Sequence, residues 1–166
     1  MSVIFKIMST QSPKPVGQSL PAGAHIAIIA ARFNAPIVDE LLSGCLHRLK
    51  EIGATDESIE TFRVPGAFEL PIAAKLAART GRFAAVICLG CVIRGDTPHF
   101  DYVAGEAARG IQQVALSESL PVIFGVLTTN TEQQALDRIG GSHGHAGQRA
   151  AEAAVEMIAT ARAIGK

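Results

Sequence analysis

The sequence carries no excess charge of either sign: Lys plus Arg number 15, and so do Asp plus Glu, among 166 residues. A neutral chain has no general field to draw in a nucleic-acid backbone or an anionic membrane, so neither is an expected partner; a local basic pocket stays open. Cysteine is scarce. Cys45, Cys88 and Cys91 are too few, and odd in number, for a secreted disulfide framework, which points to a reducing compartment. No apolar run approaches the length of about 18 residues that a membrane span needs. Residues 1–8 are briefly apolar, but Lys6 interrupts them and no small-residue cleavage site follows, so no signal peptide is expected. These absences together predict a soluble cytoplasmic protein. Internal repeats are absent too. What is present is apolar residue: 48% of the chain against 18% charged, which excludes an intrinsically disordered polymer. The length suits one domain with an ordinary core.

Residues 1–23 are rich in Ser, Pro, Gln and Gly and read as an extended N-terminal arm; residues 24–166 read as a single α/β domain. From His25 short apolar runs alternate with helical patterns. HIAIIAA (25–31) is a strand. Ile37, Leu41, Leu42, Cys45, Leu46, Leu49 and Ile52 follow at helical spacing, with Asn34 as the expected cap, Pro36 in the first turn and Gly53 at the end. SIETFRV (58–64) alternates as a strand, and 70–80 is helical up to Gly81. AAVICLG (84–90) is an apolar strand, 99–119 a helix, and VIFGVLT (122–128) a fourth buried strand. A short helix over 131–140, a Gly-rich break over 140–147 and an Ala-rich helix over 148–164 complete the chain. Strands apolar along their whole length are buried on both faces, which predicts a parallel sheet covered by helices in three layers.

Ligands of such sheets bind beyond the carboxyl ends of the strands. Those ends are Arg32-Phe33-Asn34, Val64 to Glu69, Cys91 to His99 and Thr128-Thr129-Asn130, and all four carry residues of ligand-binding type. Phe33 either stacks on a planar heterocycle or covers the sheet edge. Glu69 opens a helix, where the dipole alone favours a carboxylate. Gly95-Asp96-Thr97-Pro98-His99 ends a loop and begins a helix, so its N–H groups can face an anion, with the proton-shuttling imidazole of His99 beside it. Arg138 can grip a phosphate or merely satisfy a helix end. Cys88 and Cys91 form C-x-x-C, but the motif runs off a strand instead of opening a helix, and no second pair completes a zinc site. His143 and His145 have no acidic or Cys ligand nearby in sequence, so no metal is expected. No nucleophilic triad is apparent.

ARFN (31–34), VPGAFELP (64–71), VIRGDTPHFDYV (92–103), PVIFGVLTTNTEQQALDR (121–138) and the Gly-rich break occur in the order and at the spacing of the 6,7-dimethyl-8-ribityllumazine synthase family, which the chain resembles from about residue 25 to 160. The resemblance implies a flavodoxin-like α/β/α sandwich on a four-stranded parallel sheet. It also implies a transferase of riboflavin biosynthesis that condenses 5-amino-6-(D-ribitylamino)uracil with 3,4-dihydroxy-2-butanone 4-phosphate, with no metal and no organic cofactor. By position, Phe33 would stack on the pyrimidine. Asn34, Ala67, Phe68 and Glu69 would line the pyrimidine and ribityl pocket, and Cys91, Val92 and Ile93 would border the uracil edge. Gly95, Asp96 and Thr97 would offer N–H groups to the phosphate, Arg138 would supply its cation, and His99 would move protons. Phe124 from a neighbouring subunit would close the ring pocket. The family assembles as pentamers with active sites between subunits, some of them stacked as decamers or closed as 60-subunit shells. The arm adds a strand to a neighbour, and riboflavin synthase is an implied partner. The break shows no insertion, which favours the closed icosahedral shell.

There is one departure. Two lysines of the family pattern are replaced by Ser142 and Ala146, so one phosphate cation is missing and Ser142 is left to donate a hydrogen bond there. The expected consequence is weaker binding of the phosphate substrate. Two other readings compete: a catalytically weakened flavin- or lumazine-binding or shell-forming paralogue, and a thiol oxidoreductase using Cys88 and Cys91.

Overall fold

The computed structural model describes residues 13–14 and 16–165. The expected arm therefore falls partly outside the described residues, at 1–12 and 15. Residues 16–23 carry no helix or strand and are mostly exposed. Leu20 N–H donates to the Ile52 carbonyl at 2.7 Å, and Arg162 holds the Ala22 carbonyl with both terminal nitrogens at 3.2 Å.

Beyond the arm, strands and helices alternate: β1 (Ile26–Ala31), α1 (Ala35–Glu51), β2 (Ile59–Val64), α2 (Leu70–Arg79), β3 (Ala85–Ile93), α3 (His99–Glu118), β4 (Val122–Thr129), α4 (Glu132–Leu136), β5 (Ile139–Gly141), β6 (Gly144–His145) and α5 (Ala146–Ile164). Single turns of 3-10 helix precede β2 and α2. The main sheet has the order β2-β1-β3-β4, with every pair parallel. This is the expected four-stranded parallel α/β architecture.

Side-chain alternation explains the unbroken apolar strands. Ile26, Ile28 and Ala30 of β1, with Ile87 and Leu89 of β3, face the core shared with α1 and α5. Ala27, Ile29, Val86 and Cys88 face the opposite core, shared with α2 and α3. Successive residues point to opposite faces, so a central strand covered on both sides must be apolar at every position. The edge strands behave differently. Val122–Thr129 is not buried along its length: Phe124 is 43% exposed and Thr128 is exposed, because one edge of β4 has no neighbouring strand among the described residues.

Two local expectations need correction. Asn34 occupies the N-cap position of α1, but in the left-handed region (φ 56°, ψ 44°) and with no capping hydrogen bond from its side chain. The Gly-rich break is also structured. β5 and β6 pair as a small antiparallel hairpin, and the His145 ring accepts from Gly147 N–H at 3.2 Å to cap α5. An added Cβ at Gly44 would strike that ring, so α1 seats it, and burial lowers the pKa of His145. His145 thus has a structural task, while His143 is exposed.

Candidate active site

The strand order reverses between β1 and β3: the chain passes from β1 out to β2, then returns to the far side of β1. Loops leaving the carboxyl ends on either side of such a point diverge and leave a crevice. Here it is a cleft of about 630 Å³.

Three segments wall it. Phe33 and Asn34 leave β1 on one side. Main-chain bonds tie this exit to that of β2: Arg32 N–H to Val64 O at 2.8 Å and Phe33 N–H to Pro65 O at 3.0 Å. The Asn34 amide donates across the sheet to Cys91 O at 2.8 Å, fixing the spacing of the β1 and β3 ends. This bond is where its expected capping capacity goes. Phe33 is 72% exposed, so its ring has little to cover within the chain.

The second wall follows β2: Gly66, Ala67, Phe68 and Glu69. The Glu69 carboxylate folds back to accept from Gly66 N–H at 2.9 Å, which orients it and leaves its other oxygen without a partner among the described residues. The third wall is the end of β3, at Cys91, Val92 and Ile93, with Gly95, Thr97 and His99 of the loop and helix beyond. β3 runs three residues further than the expected Gly90 because β4 pairs with it as far as Ile93. α3 begins at His99 with Pro98 at its N-cap and no capping side chain. Apart from one long bond, His99 N–H to Thr97 Oγ1 at 3.4 Å, its first N–H groups have no side-chain acceptor, the condition in which a helix start attracts an anion.

Eleven of the expected residues thus converge. Phe124, Arg138, Ser142 and Asp96 do not line the cleft of a single chain. Asp96 lies in the loop between lining residues and is exposed. Phe124 is five residues before the carboxyl end of β4, about 16 Å down the strand. Arg138 precedes β5, and its Nη1 donates to Gln134 O at 2.7 Å. Ser142 Oγ sits in the hairpin turn, 3.0 Å from His143 Nδ1. Sequence reading missed Gly66, Phe100, Tyr102 and Val103 of the lining. The spacing of His99, Tyr102 and Val103 was the available signal, since residues three and four apart share a helix face.

Nothing favours thiol chemistry. All three cysteines are buried and unpaired. Cys88 and Cys91 are three apart on one strand and face opposite cores, so the sheet itself separates their sulfurs. Burial pushes the Cys88 thiol up to about 12 and, with the charge of Glu132 adding to it, Cys91 to about 11. Reactive thiols are shifted the other way. Among the described residues, no cluster of three His, Cys, Asp or Glu could hold a metal, and no helix is long and apolar enough to cross a membrane.

Fold and cleft define an α/β protein of flavodoxin-like topology with an open cleft at its strand ends. The family described as 6,7-dimethyl-8-ribityllumazine synthase matches residues 23–162. A protein of that name from Desulfatibacillum aliphaticivorans is 50% identical over 147 residues, covering 88% of this chain and 95% of the relative. The chain belongs to the 6,7-dimethyl-8-ribityllumazine synthase family.

Proposed function

We propose that the cleft condenses 5-amino-6-(D-ribitylamino)uracil with 3,4-dihydroxy-2-butanone 4-phosphate to give 6,7-dimethyl-8-ribityllumazine, phosphate and water. The observation that carries this is the likeness over 147 residues to a protein of that name, combined with a cleft that faces an aromatic ring, a carboxylate and an imidazole toward one volume. The amine attacks the ketone and one water leaves as the imine forms. Loss of a proton then expels phosphate from the neighbouring carbon, and closure of the second ring releases another water. Most of the barrier to the first step is bringing two dilute solutes together, and orientation can supply about 7–11 kcal/mol of it.

Each residue has a place in that sequence. Phe33 stacks on the flat pyrimidine, whose other edge meets the backbone of Val92 and Ile93 beside Cys91. The free oxygen of Glu69 accepts ribityl hydroxyls, with Asn34, Ala67 and Phe68 as the surrounding wall. N–H groups of Gly95, Asp96 and Thr97 at the uncapped start of α3 face the phosphate. His99 takes and returns protons during imine formation and elimination, a task typically worth 100- to 10,000-fold.

Phe124, Arg138 and Ser142 act in the cleft of an adjacent subunit. Their absence from the lining of their own cleft supports this, and the exposed apolar side chains Ile72 and Leu76 of α2 and Leu116 of α3 are available for contact with a neighbour. The assembly is a pentamer, closed further into a 60-subunit cytoplasmic shell, and residues 16–23 of the arm pair with a neighbour's sheet. Riboflavin synthase is its further partner. Light scattering checks the assembly, and a particle of only five subunits would eliminate the shell. Mixing the two substrates with purified protein and following lumazine absorbance tests the reaction. His99→Ala should lower turnover with pyrimidine binding intact, and Arg138→Ala should raise KM for the phosphate substrate selectively. Absence of lumazine from the wild-type protein would overturn the function.

A further inference from the structure

The loop from β3 to α3 is the part of the cleft wall with the least to hold it. It includes Gly95, its helix start has no capping side chain, and its one internal side-chain bond, His99 N–H to Thr97 Oγ1, is long at 3.4 Å. Yet His99 follows it directly. The anchor lies at its base. Arg94 N–H donates to Thr129 O at 2.9 Å, joining the loop to the end of β4. Arg94 Nε donates to Asn130 Oδ1 at 3.0 Å, and Nη2 reaches Asp101 Oδ1 at 3.0 Å. The guanidinium carbon lies 4.2 Å from the centroid of the Phe100 ring. Asn130 is itself fixed, its N–H bonded to Gln134 Oε1 at 2.9 Å.

One side chain therefore ties three pieces: the exit of β3, the exit of β4 and the first turn of α3, through the two residues that follow His99. Phe100 lines the cleft and Arg94 does not, so Arg94 acts behind the wall. Resting on the functional reading above, we propose that Arg94 is a positioning residue for the condensation, holding Gly95 to His99 in place without touching either substrate. The group must be a guanidinium. Its planar fork sends Nε and Nη2 in fixed, different directions while its face lies on an aromatic ring; an ammonium has three donors on a single nitrogen and no flat face, so it cannot span the same two partners while stacking on Phe100. The Arg94–Asp101 pair is 42% and 59% exposed, and pairs in water add little to folding stability. Its effect falls on geometry, and a misplacement of about 1 Å can cost roughly 100-fold in rate.

The test uses the full-length chain with Arg94→Met and Arg94→Lys. Three quantities are measured: kcat for lumazine formation, the Kd of ribitylaminouracil by fluorescence titration, and amide hydrogen exchange over residues 95–101. We expect kcat to fall roughly 10- to 100-fold in both variants. The pyrimidine Kd should change by no more than about two-fold, because the walls that hold the ring are built by other segments. Exchange over 95–101 should quicken while that of the β1 and β3 amides does not. A purely structural role would weaken pyrimidine binding and turnover together. Wild-type kcat in Arg94→Lys would overturn the proposal, since charge alone would then suffice, and unchanged exchange in Arg94→Met would overturn it as well. Wild-type protein that forms no lumazine would instead overturn the functional reading, and with it any role of Arg94 in turnover; the exchange result still decides whether Arg94 holds the loop.

Discussion

Replacing Phe33 by alanine separates ligand binding from folding in this protein more cleanly than any other single change in the cleft. The ring is 72% exposed, and the bond that fixes its position is made by its main-chain N–H, which alanine keeps. A substitution at such a surface site changes stability by at most about 0.5 kcal/mol. For a chain of this length that moves the melting midpoint by only about 1–2 °C. Binding should respond far more. Stacking a base on an aromatic side chain is worth about 1–3 kcal/mol by alanine substitution. Every 1.4 kcal/mol is ten-fold in affinity, so the Kd of ribitylaminouracil should rise roughly 5- to 150-fold. Titration of the pyrimidine's fluorescence against protein reads this directly. KM for the butanone phosphate should move much less, since the anchors proposed for it, Gly95 to Thr97 and Arg138, are not on the β1 side of the cleft. Phe33→Leu keeps the apolar bulk, loses the flat π face, and should fall between. Unchanged affinity in Phe33→Ala would refute stacking. A drop in melting point well beyond a few degrees would refute the premise that the ring is idle in the ligand-free chain.

Three further outcomes follow from other parts of the molecule. Gly147→Ala should lower stability by about 1–2 kcal/mol, read by calorimetry: an added Cβ would overlap the Leu41 carbonyl and lie 2.9 Å from its carbon, and this overpacking of two helix backbones outweighs the helix-propensity gain of about 1 kcal/mol. Ser142→Lys, at an exposed turn with room for the longer side chain, should lower KM for the butanone phosphate about 2- to 5-fold in steady-state assays; an unchanged KM would mean that the missing cation is immaterial here. Cys45, Cys88 and Cys91 should resist thiol reagents at pH 8 in the native protein and react once it is unfolded, because burial holds Cys45 and Cys88 near 12 and Cys91 near 11. The same shifts fix the sign of an alkaline effect. Unfolded thiols ionise near about 8.5 and the folded ones do not, so the unfolded state binds fewer protons and stability falls from about pH 9 upward toward 11–12.

The sequence alone determined the order of the four sheet strands and the five helices, though not the β5–β6 hairpin, because periodicity is a local property: a strand covered on both faces has to be apolar throughout, and HIAIIAA and AAVICLG are. It also determined which segments carry residues of ligand-binding type, since the segments after β1, β2 and β3 hold Phe33, Glu69 and His99 whatever the strand order. Tertiary structure decided the rest. That β1 and β3 sit side by side, so that these three loops share one cleft, depends on pairing between residues dozens of positions apart. So does the fate of Asn34, whose amide looks like a helix cap in sequence but bonds to Cys91 O, 57 residues away. β4 reads as a buried strand until its edge position leaves Phe124 open. Arg94 has no assigned part in the motif VIRGDTPHFDYV until Asn130, Asp101 and Phe100 are brought around it. Local pattern reports which face of an element is apolar; only long-range packing fixes which neighbour meets that face and where each polar group finds its partner.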